Sequence, residues 1–257
     1  MVNLDKYITY IRGEMPLILS VPHGGTLLCR EIPKRSHGIL GIDKNTIKLA
    51  QELINQIEEH FHKRGLKVKR PSYIFCNVSR SKIDLNRPIE RAFNQKSELA
   101  KQIYNYYHKT IRETIDYNIK TNNQSLLMDI HGFETNSRPD GYRDVDIILG
   151  TNNLKSLYPT SIKKKDWNKN IRGKIVQKFI ELKVPIAPGH ERRREYVLSG
   201  GYTTKKYGAS SISNSQSMQI EFSDRIRVYD RNLKEKVLNS LAGIIFNEFN
   251  PSRLKYQ

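Results

Sequence analysis

The sequence predicts an α/β fold in which helices cover both faces of a mixed, mostly parallel sheet. Two observations support this fold class. Short apolar segments alternate with amphipathic helical segments over nearly the whole chain, which is the pattern of consecutive βα units. The 257 residues, 37% of them hydrophobic, are also enough for one substantial core. Because there is no internal repeat and no Pro/Ser-rich linker, we expect a single domain over residues 1–257.

Five short apolar runs are predicted to form strands. Near-continuous apolar runs of this length are typical of strands that are buried on both faces of a sheet. The first run lies between Pro16 and Pro22 and ends just before His23, and the third ends before His131. The predicted strands are 17–21, 73–78, 126–130, 145–149 and 218–222.

Four amphipathic segments are predicted to form helices, because their apolar residues recur every three or four positions. The polar, glycine-rich segment 189–215 is predicted to be a long loop. The predicted helices run from near Asp43 to before Gly65, and over 99–115, 167–182 and 233–249.

The chain is strongly basic, with 44 Lys and Arg against 26 Asp and Glu, giving a net charge of +18. Such a charge attracts anions. The basic residues are spread along the chain, and the dense runs 163–165 and 192–194 lack interleaved aromatic residues, which a base-stacking surface would have. We therefore expect a small anionic substrate rather than a nucleic-acid partner.

The sequence also indicates a cellular location. No apolar run approaches the roughly 20 residues that a membrane-spanning helix needs, so no membrane partner is expected. Cys29 and Cys76 are the only cysteines, too few for a disulfide framework in a chain of this length. We therefore expect a cytoplasmic protein.

Two histidines follow predicted strands, and each precedes a glycine: His23 after the first strand and His131 after the third. Ligands of such sheets bind outside the carboxyl ends of the strands, and neutral imidazole is a common zinc ligand. We therefore predict that both histidines bind one Zn²⁺ ion per chain. A catalytic zinc usually has a third protein ligand, for which Asp43 and Glu31 are both candidates.

Other polar residues lie near predicted strand ends. Asn86 and Arg87, in the string Asp84-Leu85-Asn86-Arg87-Pro88, follow the second strand, and their donors suit a substrate carboxylate. Glu221 ends the last strand. Asp129 lies two residues before His131, on the same side of the strand, where it can orient that imidazole or serve as a plain buried carboxylate.

Several short strings in this sequence, taken in order, resemble the N-formylglutamate amidohydrolase family and, more distantly, the zinc carboxypeptidase and aspartoacylase group. Each string is short, but their shared order makes the resemblance specific, and together they cover roughly residues 17 to 225. The strings are Val21–Thr26, Asp43 ahead of Leu49-Ala50, Ser79-Arg80 with Asp84–Arg87, Tyr107-His108, Asp129–Gly132, Asp146–Gly150, Gly200–Thr204 with Tyr207-Gly208, and Gln219–Glu221.

The resemblance implies a phosphorylase/hydrolase-like α/β fold with one zinc ion. By this similarity His23 and His131 are metal ligands. Asp43 matches the acidic position of the family better than Glu31. The zinc carboxypeptidase group takes its carboxylate ligand three residues after the first histidine, where this chain has Thr26, so the sequence departs from that pattern.

The resemblance also implies the roles of the remaining residues. Glu221 matches the general base, and Arg80 assists catalysis. The residues implied in substrate binding are Asn86, Arg87, Gly201 and Tyr202.

The leading hypothesis is hydrolysis of the amide bond of an N-formyl or N-acyl amino acid, with an acidic side chain such as glutamate favoured. An alternative hypothesis is a zinc peptidase or amidase that acts on γ-glutamyl or cell-wall-type peptides. A third hypothesis, motivated by the charge of +18, is a non-catalytic basic protein that binds nucleic acid.

Overall fold

The computed structural model describes residues 3–137, 144–196 and 198–250, and these form one mixed sheet with helices packed against it. The order of the strands across the sheet is β1-β3-β2-β4-β7-β5-β6. The strands are β1 (Ile8–Ile11), β2 (Met15–Val21), β3 (Pro71–Cys76), β4 (Ser125–Phe133), β5 (Ile147–Gly150), β6 (Ile186–Ala187) and β7 (Ser215–Ser223).

The helices alternate with the strands along most of the chain, as the sequence predicts. Within the described ranges, no helix has the length and apolar composition that crossing a membrane requires. The helices are α1 (Thr46–His62), α2 (Ile89–Ala92), α3 (Glu98–Asn122), α4 (Ile171–Glu181), α5 (Tyr202–Tyr207) and α6 (Arg231–Phe249).

The centre of the sheet is parallel. Strand β2 pairs in parallel with β3 and β4, and β4 pairs in parallel with β7. The pairs β1–β3 and β5–β7 are antiparallel. The predicted fold class, a mixed and mostly parallel sheet, is therefore confirmed. Because β2, β4 and β7 run in the same direction, their carboxyl ends lie at one edge of the sheet, where ligands of such folds bind.

Two strands continue beyond their predicted ends. Strand β4 continues past residue 130 to Phe133, and β7 continues past residue 222 to Ser223. The reason is the ladder between them, which pairs Gly132 with Phe222 and Phe133 with Ser223. An apolar run in the sequence identifies only the part of a strand that faces the core. The hydrogen bonds between paired strands continue beyond that run into the polar end of each strand. His131 therefore lies within β4 rather than after it, and Glu221 lies within β7 as predicted.

Some elements differ from the sequence prediction. The edge strand β1 is not predicted, because it is only partly buried and has no continuous apolar run. Helix α5 lies inside the segment 189–215, so the prediction of a loop is wrong for its six residues; residue 197 of that segment lies outside the described residues. Helix α4 begins at Ile171 rather than Trp167, because the side chain of Asn170 accepts a hydrogen bond from the amide of Gly173 and caps the helix there.

The core consists of two clusters, one on each face of the sheet. Leu17, Leu19 and Val21 of β2 pack in the cluster that includes buried residues of α1, α4 and α6. Ile18 points the other way and packs in the cluster that includes buried residues of α3. Alternation along a strand places successive side chains on opposite faces, so β2 is held from both sides, and this fixes the position of His23, two residues beyond its end.

We predict that Leu19→Ala lowers the free energy of unfolding by about 2–5 kcal/mol, because Leu19 is fully buried and its truncation leaves a cavity in the core. Urea unfolding with an unchanged m-value measures this loss. Leu28→Ala is the matched control, since Leu28 is 66% exposed and its truncation should change stability by no more than about 0.5 kcal/mol. Equal effects of the two substitutions would contradict this description of the core.

Candidate metal centre

Three side chains from distant parts of the chain converge at the carboxyl edge of the parallel strands. His23 follows β2, His131 lies in β4, and Asp43 precedes α1. Nδ1 of His23 lies 3.1 Å from Nδ1 of His131, and Oδ2 of Asp43 lies 3.5 Å and 3.3 Å from these two nitrogens. All three residues are buried, and together they could hold a metal ion.

The separations between these three atoms fit ligands of a single metal ion. Zinc binds histidine nitrogen at roughly 2.0–2.1 Å with tetrahedral geometry, which places neighbouring ligand atoms about 3.3 Å apart. The three measured separations lie between 3.1 and 3.5 Å. Asp43 rather than Glu31 completes the group, because the Glu31 side chain is exposed and lies outside it.

The far side of each imidazole contacts a buried carboxylate. Nε2 of His23 lies 2.7 Å from Oδ1 of Asp84, and Nε2 of His131 lies 2.9 Å from Oδ2 of Asp129. An ionised carboxylate only accepts hydrogen bonds, so both Nε2 atoms donate, and a ring without a second proton presents its Nδ1 lone pair to the other two atoms of the group. This is the arrangement in which outer carboxylates orient metal-binding histidines. Asp129 therefore lies where the sequence predicts it.

The group needs a positive charge. With both Nε2 atoms donating outwards, the two Nδ1 atoms and the Asp43 oxygen are all acceptors. Burial lowers the pKa of His131, but Asp129 and Asp43 outweigh burial and hold that pKa well above its ordinary value. Burial raises the pKa of Asp43, but a proton on Nδ1 of His131 or His23 donates to its carboxylate, and this interaction holds the pKa of Asp43 well below the ordinary range. Either a proton on His131 or a metal ion supplies this positive charge. The separations of the two imidazole nitrogens and the carboxylate oxygen fit a metal ion.

Asp43 is held in place by three further contacts. Its Oδ2 accepts a hydrogen bond from the amide of Gly132, 3.1 Å away, and its own amide donates to the carbonyl of His23. Its Oδ1 lies 3.3 Å from Nη1 of Arg80. Gly132 must be glycine here, because a Cβ would lie 2.3 Å from Nε of the buried Arg227. Contacts with two backbone groups and with one side chain therefore hold Asp43 in place.

The sequence does not predict the role of Asp84. This fully buried carboxylate contacts His23 through Oδ1, whereas its Oδ2 lies 3.3 Å from Nε of Arg80. Arg35 and Arg87 also approach Oδ2, at 3.7 and 3.6 Å. Burial raises its pKa, but attraction to His23 and the arginines holds that pKa well below the ordinary range. Asp84 and Arg80 thus link the metal-binding residues to the Asn86-Arg87 loop.

Glu221 lies beside the metal-binding group. It is the register partner of His131 in the parallel β4–β7 pair, so the two side chains project from the same face of the sheet. Burial raises the pKa of Glu221 above its ordinary value, which brings a carboxylate closer to the range in which it can exchange protons near neutral pH. Its Oε1 accepts a hydrogen bond from Nε2 of Gln219 at 2.8 Å.

The loops predicted to bind substrate meet over this edge. Oδ1 of Asn86 accepts from the amide of Thr203 at 2.9 Å, and its Nδ2 lies 3.3 Å from Nε2 of His131. Gly201 packs so closely that a Cβ would lie 2.3 Å from the Asn86 amide, and its own amide donates to Gln219. The Oδ1 of Asn86 is thus engaged by the protein, but its Nδ2 cannot donate to His131 Nε2, which already donates to Asp129. The side chain of Arg87 is 48% exposed and available to a ligand.

A buried ion pair that the sequence does not predict holds the segment before Gly201. Nε of Arg172 lies 3.0 Å from Oε1 of Glu195, and the Arg172 guanidinium donates to the carbonyls of Glu191 and Arg193. Glu195 also accepts from the amide of Thr151, just after β5. No local sequence signal identifies this pair, because its members are separated by a helix and a loop. It ties the residues around Glu195 to α4 and to the end of β5.

His108 is a buried support for these loops rather than a surface or metal-binding residue. Its Nδ1 donates to the hydroxyl of Tyr207 at 2.8 Å, and its ring packs against Tyr104 and Tyr202. Tyr104 donates its hydroxyl to the carbonyl of Arg87. Burial, with the nearby charge of Lys206, lowers the pKa of His108 to about 3. The imidazole is therefore neutral wherever the protein is folded near neutral pH.

We predict that His108→Asn makes stability less dependent on pH in the acid range. The folded pKa of His108, about 3, lies below the ordinary value of 6.5, so the unfolded chain binds a proton that the folded chain excludes. The stability that the neutral His108 contributes is fully present above pH 6.5. Below pH 6.5 the free energy of unfolding falls by about 1.4 kcal/mol per pH unit. Urea unfolding from about pH 7 to about pH 5 should show a shallower decline in the variant. His62→Asn, at an exposed site, should decline as the unmodified protein does.

Two solved structures have the same fold as this chain. N-formylglutamate amidohydrolase from Ralstonia eutropha JMP134 aligns with a TM-score of 0.65 at 13% identity, over 97% of this chain and 99% of that chain. A gene product from Agrobacterium tumefaciens aligns with a TM-score of 0.58 at 12% identity, over 97% and 95%. No family model matches the sequence, and no curated protein matches it either. The predicted resemblance to N-formylglutamate amidohydrolase is thus confirmed at the level of the fold.

Proposed function

We propose that this protein is a zinc-dependent amidohydrolase that cleaves the amide bond of an N-formyl or N-acyl amino acid. The observation that carries this proposal is the convergence of His23, His131 and Asp43 on one point, with Glu221 beside them. The fold shared with an N-formylglutamate amidohydrolase supports the same class of reaction. An N-formyl amino acid such as N-formylglutamate is the substrate that we propose.

The roles of the residues follow from their positions. Zinc, when bound, lowers the pKa of water and polarises a carbonyl group. Glu221 takes the proton from the attacking water and passes it to the leaving nitrogen. The exposed guanidinium of Arg87 binds the carboxylate of the substrate, and Gly201 and Tyr202 line the substrate side of the site. Holding the substrate in this way turns binding energy into orientation of the scissile amide.

We propose that Arg80 serves both structure and catalysis. Its Nε and Nη1 contact Asp84 and Asp43, which keeps both carboxylates ionised and fixed. The guanidinium carries further N–H donors. In this proposal one of them stabilises the negative oxygen that develops on the carbonyl under attack.

We also propose that the protein acts in the cytoplasm. Cys29 and Cys76 are both free and buried. Burial raises the pKa of both thiols, that of Cys76 to about 12, so neither is a reactive thiolate. Two free, unreactive thiols suit a reducing compartment.

We predict that the purified protein binds one zinc ion per chain and that His131→Ala loses this binding. The variant removes one of three converging ligands and leaves a site with too few protein donors for a catalytic zinc. Elemental analysis and titration calorimetry with zinc alone measure the stoichiometry and affinity. His62→Ala is the control, because His62 is exposed and lies outside the group. Equal zinc affinity in both variants would rule out this site.

We predict that Glu221→Gln lowers kcat/KM for N-formylglutamate by about 10²- to 10⁴-fold, because an amide cannot accept the proton of the attacking water. Zinc content should stay unchanged, which separates this loss from loss of metal. The control Glu113→Gln, at an exposed helix position, should keep full activity. A screen of N-formyl, N-acetyl and γ-glutamyl substrates identifies the acyl group. Near-full activity of Glu221→Gln would contradict the proposed mechanism.

A further inference from the structure

Two basic runs that are distant in the sequence meet at one pocket. Arg194, the last residue of the run 192–194, lines this pocket. The run 163–165 lies between Ile162 and Trp167, which both line it as well. The pocket has a volume of about 440 Å³, within the range of small-molecule binding sites. Much of the basic character of the chain is therefore concentrated around one cavity.

Two aromatic side chains, Tyr158 and Trp167, line the pocket beside these charges, and each is only partly buried. Their backbone is fixed. The amide of Tyr158 donates to the carbonyl of Leu154 at 3.0 Å, and the carbonyl of Trp167 accepts from the side chain of Asn170, the residue that caps α4. Aromatic side chains of this kind stack on nucleobases, because every base has a flat π-face. The fold thus supplies the aromatic residues that the basic runs lack in the sequence.

The charge of the pocket lining is positive, and no carboxylate belongs to the lining among the described residues. Its charged side chains are Lys155 and Arg194, which are both exposed. Two nearby carboxylates are bound elsewhere: Glu195 contacts the buried Arg172, and Asp166 pairs with the lysine three residues later. Within the described ranges neither Lys155 nor Arg194 forms an ion pair. Both cations are therefore available to bind phosphate oxygens.

The pocket is separate from the metal-binding group. Strand β5 runs antiparallel to β7, so the chain that leaves β5 at Gly150 leads away from the edge where His131 lies. In the turn that follows, the carbonyl of Ser156 accepts from the amide of Ser217 at 3.0 Å. Ser217 precedes Glu221 by four residues, about 13 Å along a strand. A ligand of this pocket is therefore distinct from the substrate of the metal centre.

We propose that this pocket binds a free nucleotide. The base packs against Trp167 and Tyr158, and Lys155 and Arg194 bind the phosphate groups. A single-stranded nucleic acid needs a groove with aromatic residues for successive bases, whereas this pocket offers two rings in one place. The binding of the nucleotide does not depend on the proposed hydrolysis.

The fluorescence of Trp167 reports binding at this pocket directly, because the chain has one tryptophan. Addition of ADP to the zinc-loaded protein should quench this fluorescence saturably, with one site per chain. Titration calorimetry then compares ADP with its two parts, adenosine and pyrophosphate. We expect each part to bind at least about tenfold more weakly than ADP, since it keeps either the stacking or the charge-assisted hydrogen bonds but not both.

Two variants separate the parts of the site, and a third is the control. Arg194→Gln should weaken ADP binding by about tenfold or more and leave the affinity for adenosine unchanged. Trp167→Leu should weaken the binding of both ADP and adenosine by about five- to hundredfold, the effect of removing a stacking ring, and leave that of pyrophosphate unchanged. Arg231→Gln, at an exposed site outside the pocket, should bind ADP as the unmodified protein does. Because Arg194 is exposed, Arg194→Gln keeps the test decisive even where Trp167→Leu fails to fold.

Several results would overturn the proposal. They are unchanged Trp167 fluorescence on addition of ADP, pyrophosphate binding as tight as that of ADP, and equal ADP affinity of Arg194→Gln and the unmodified protein. An adenylate octanucleotide that binds about tenfold or more tightly than ADP would indicate a nucleic-acid surface and would also overturn it. None of these measurements uses hydrolysis as its readout, so the proposed function is tested separately.

Discussion

The arrangement of this site depends on three acceptor atoms that face one another in the protein interior. Bringing Nδ1 of His23, Nδ1 of His131 and Oδ2 of Asp43 to within 3.5 Å costs free energy unless a cation lies among them. The rings cannot turn away, because Asp84 and Asp129 hold their far nitrogens. The fold therefore keeps the three acceptor atoms close together. The free-energy cost of this arrangement is offset by the apolar core below the site.

The parallel register of three central strands creates this geometry. Ser20 of β2 lies opposite Asp129 of β4 and donates to its carboxylate at 2.5 Å. One strand further, His131 of β4 lies opposite Glu221 of β7. Asp129, His131 and Glu221 are therefore set by their neighbours across the ladder, and a shift of one residue in either pair would turn these side chains to the other face. His23 and Asp43 lie outside the strands, in the segments that follow β2 and precede α1.

The sequence predicts the central strands and the two histidines because their signals are local: an apolar run, then a polar residue at its end. The residues alone leave Asp43 and Glu31 as alternatives, and the family resemblance favours Asp43. The fold brings Asp43 to His131, a contact between residues nearly ninety positions apart. The contact of Asp84 with His23 and the Arg172–Glu195 pair are unpredicted for the same reason. A buried carboxylate is identified by its partners, and these lie elsewhere in the chain.

The net positive charge of the chain comes from its composition, and the fold decides how much of that charge faces solvent. Several carboxylates are buried and paired at or near the site, whereas most lysines and many arginines remain on the surface, so acidic groups are withdrawn from solvent more than basic ones. The buried carboxylates among the described residues are Asp43, Asp84, Asp129, Asp146, Glu195 and Asp224. The field outside the protein is therefore positive and attracts anions towards the surface. A net charge of +18 thus raises the local concentration of an anion such as the N-formyl amino acid that we propose as the substrate.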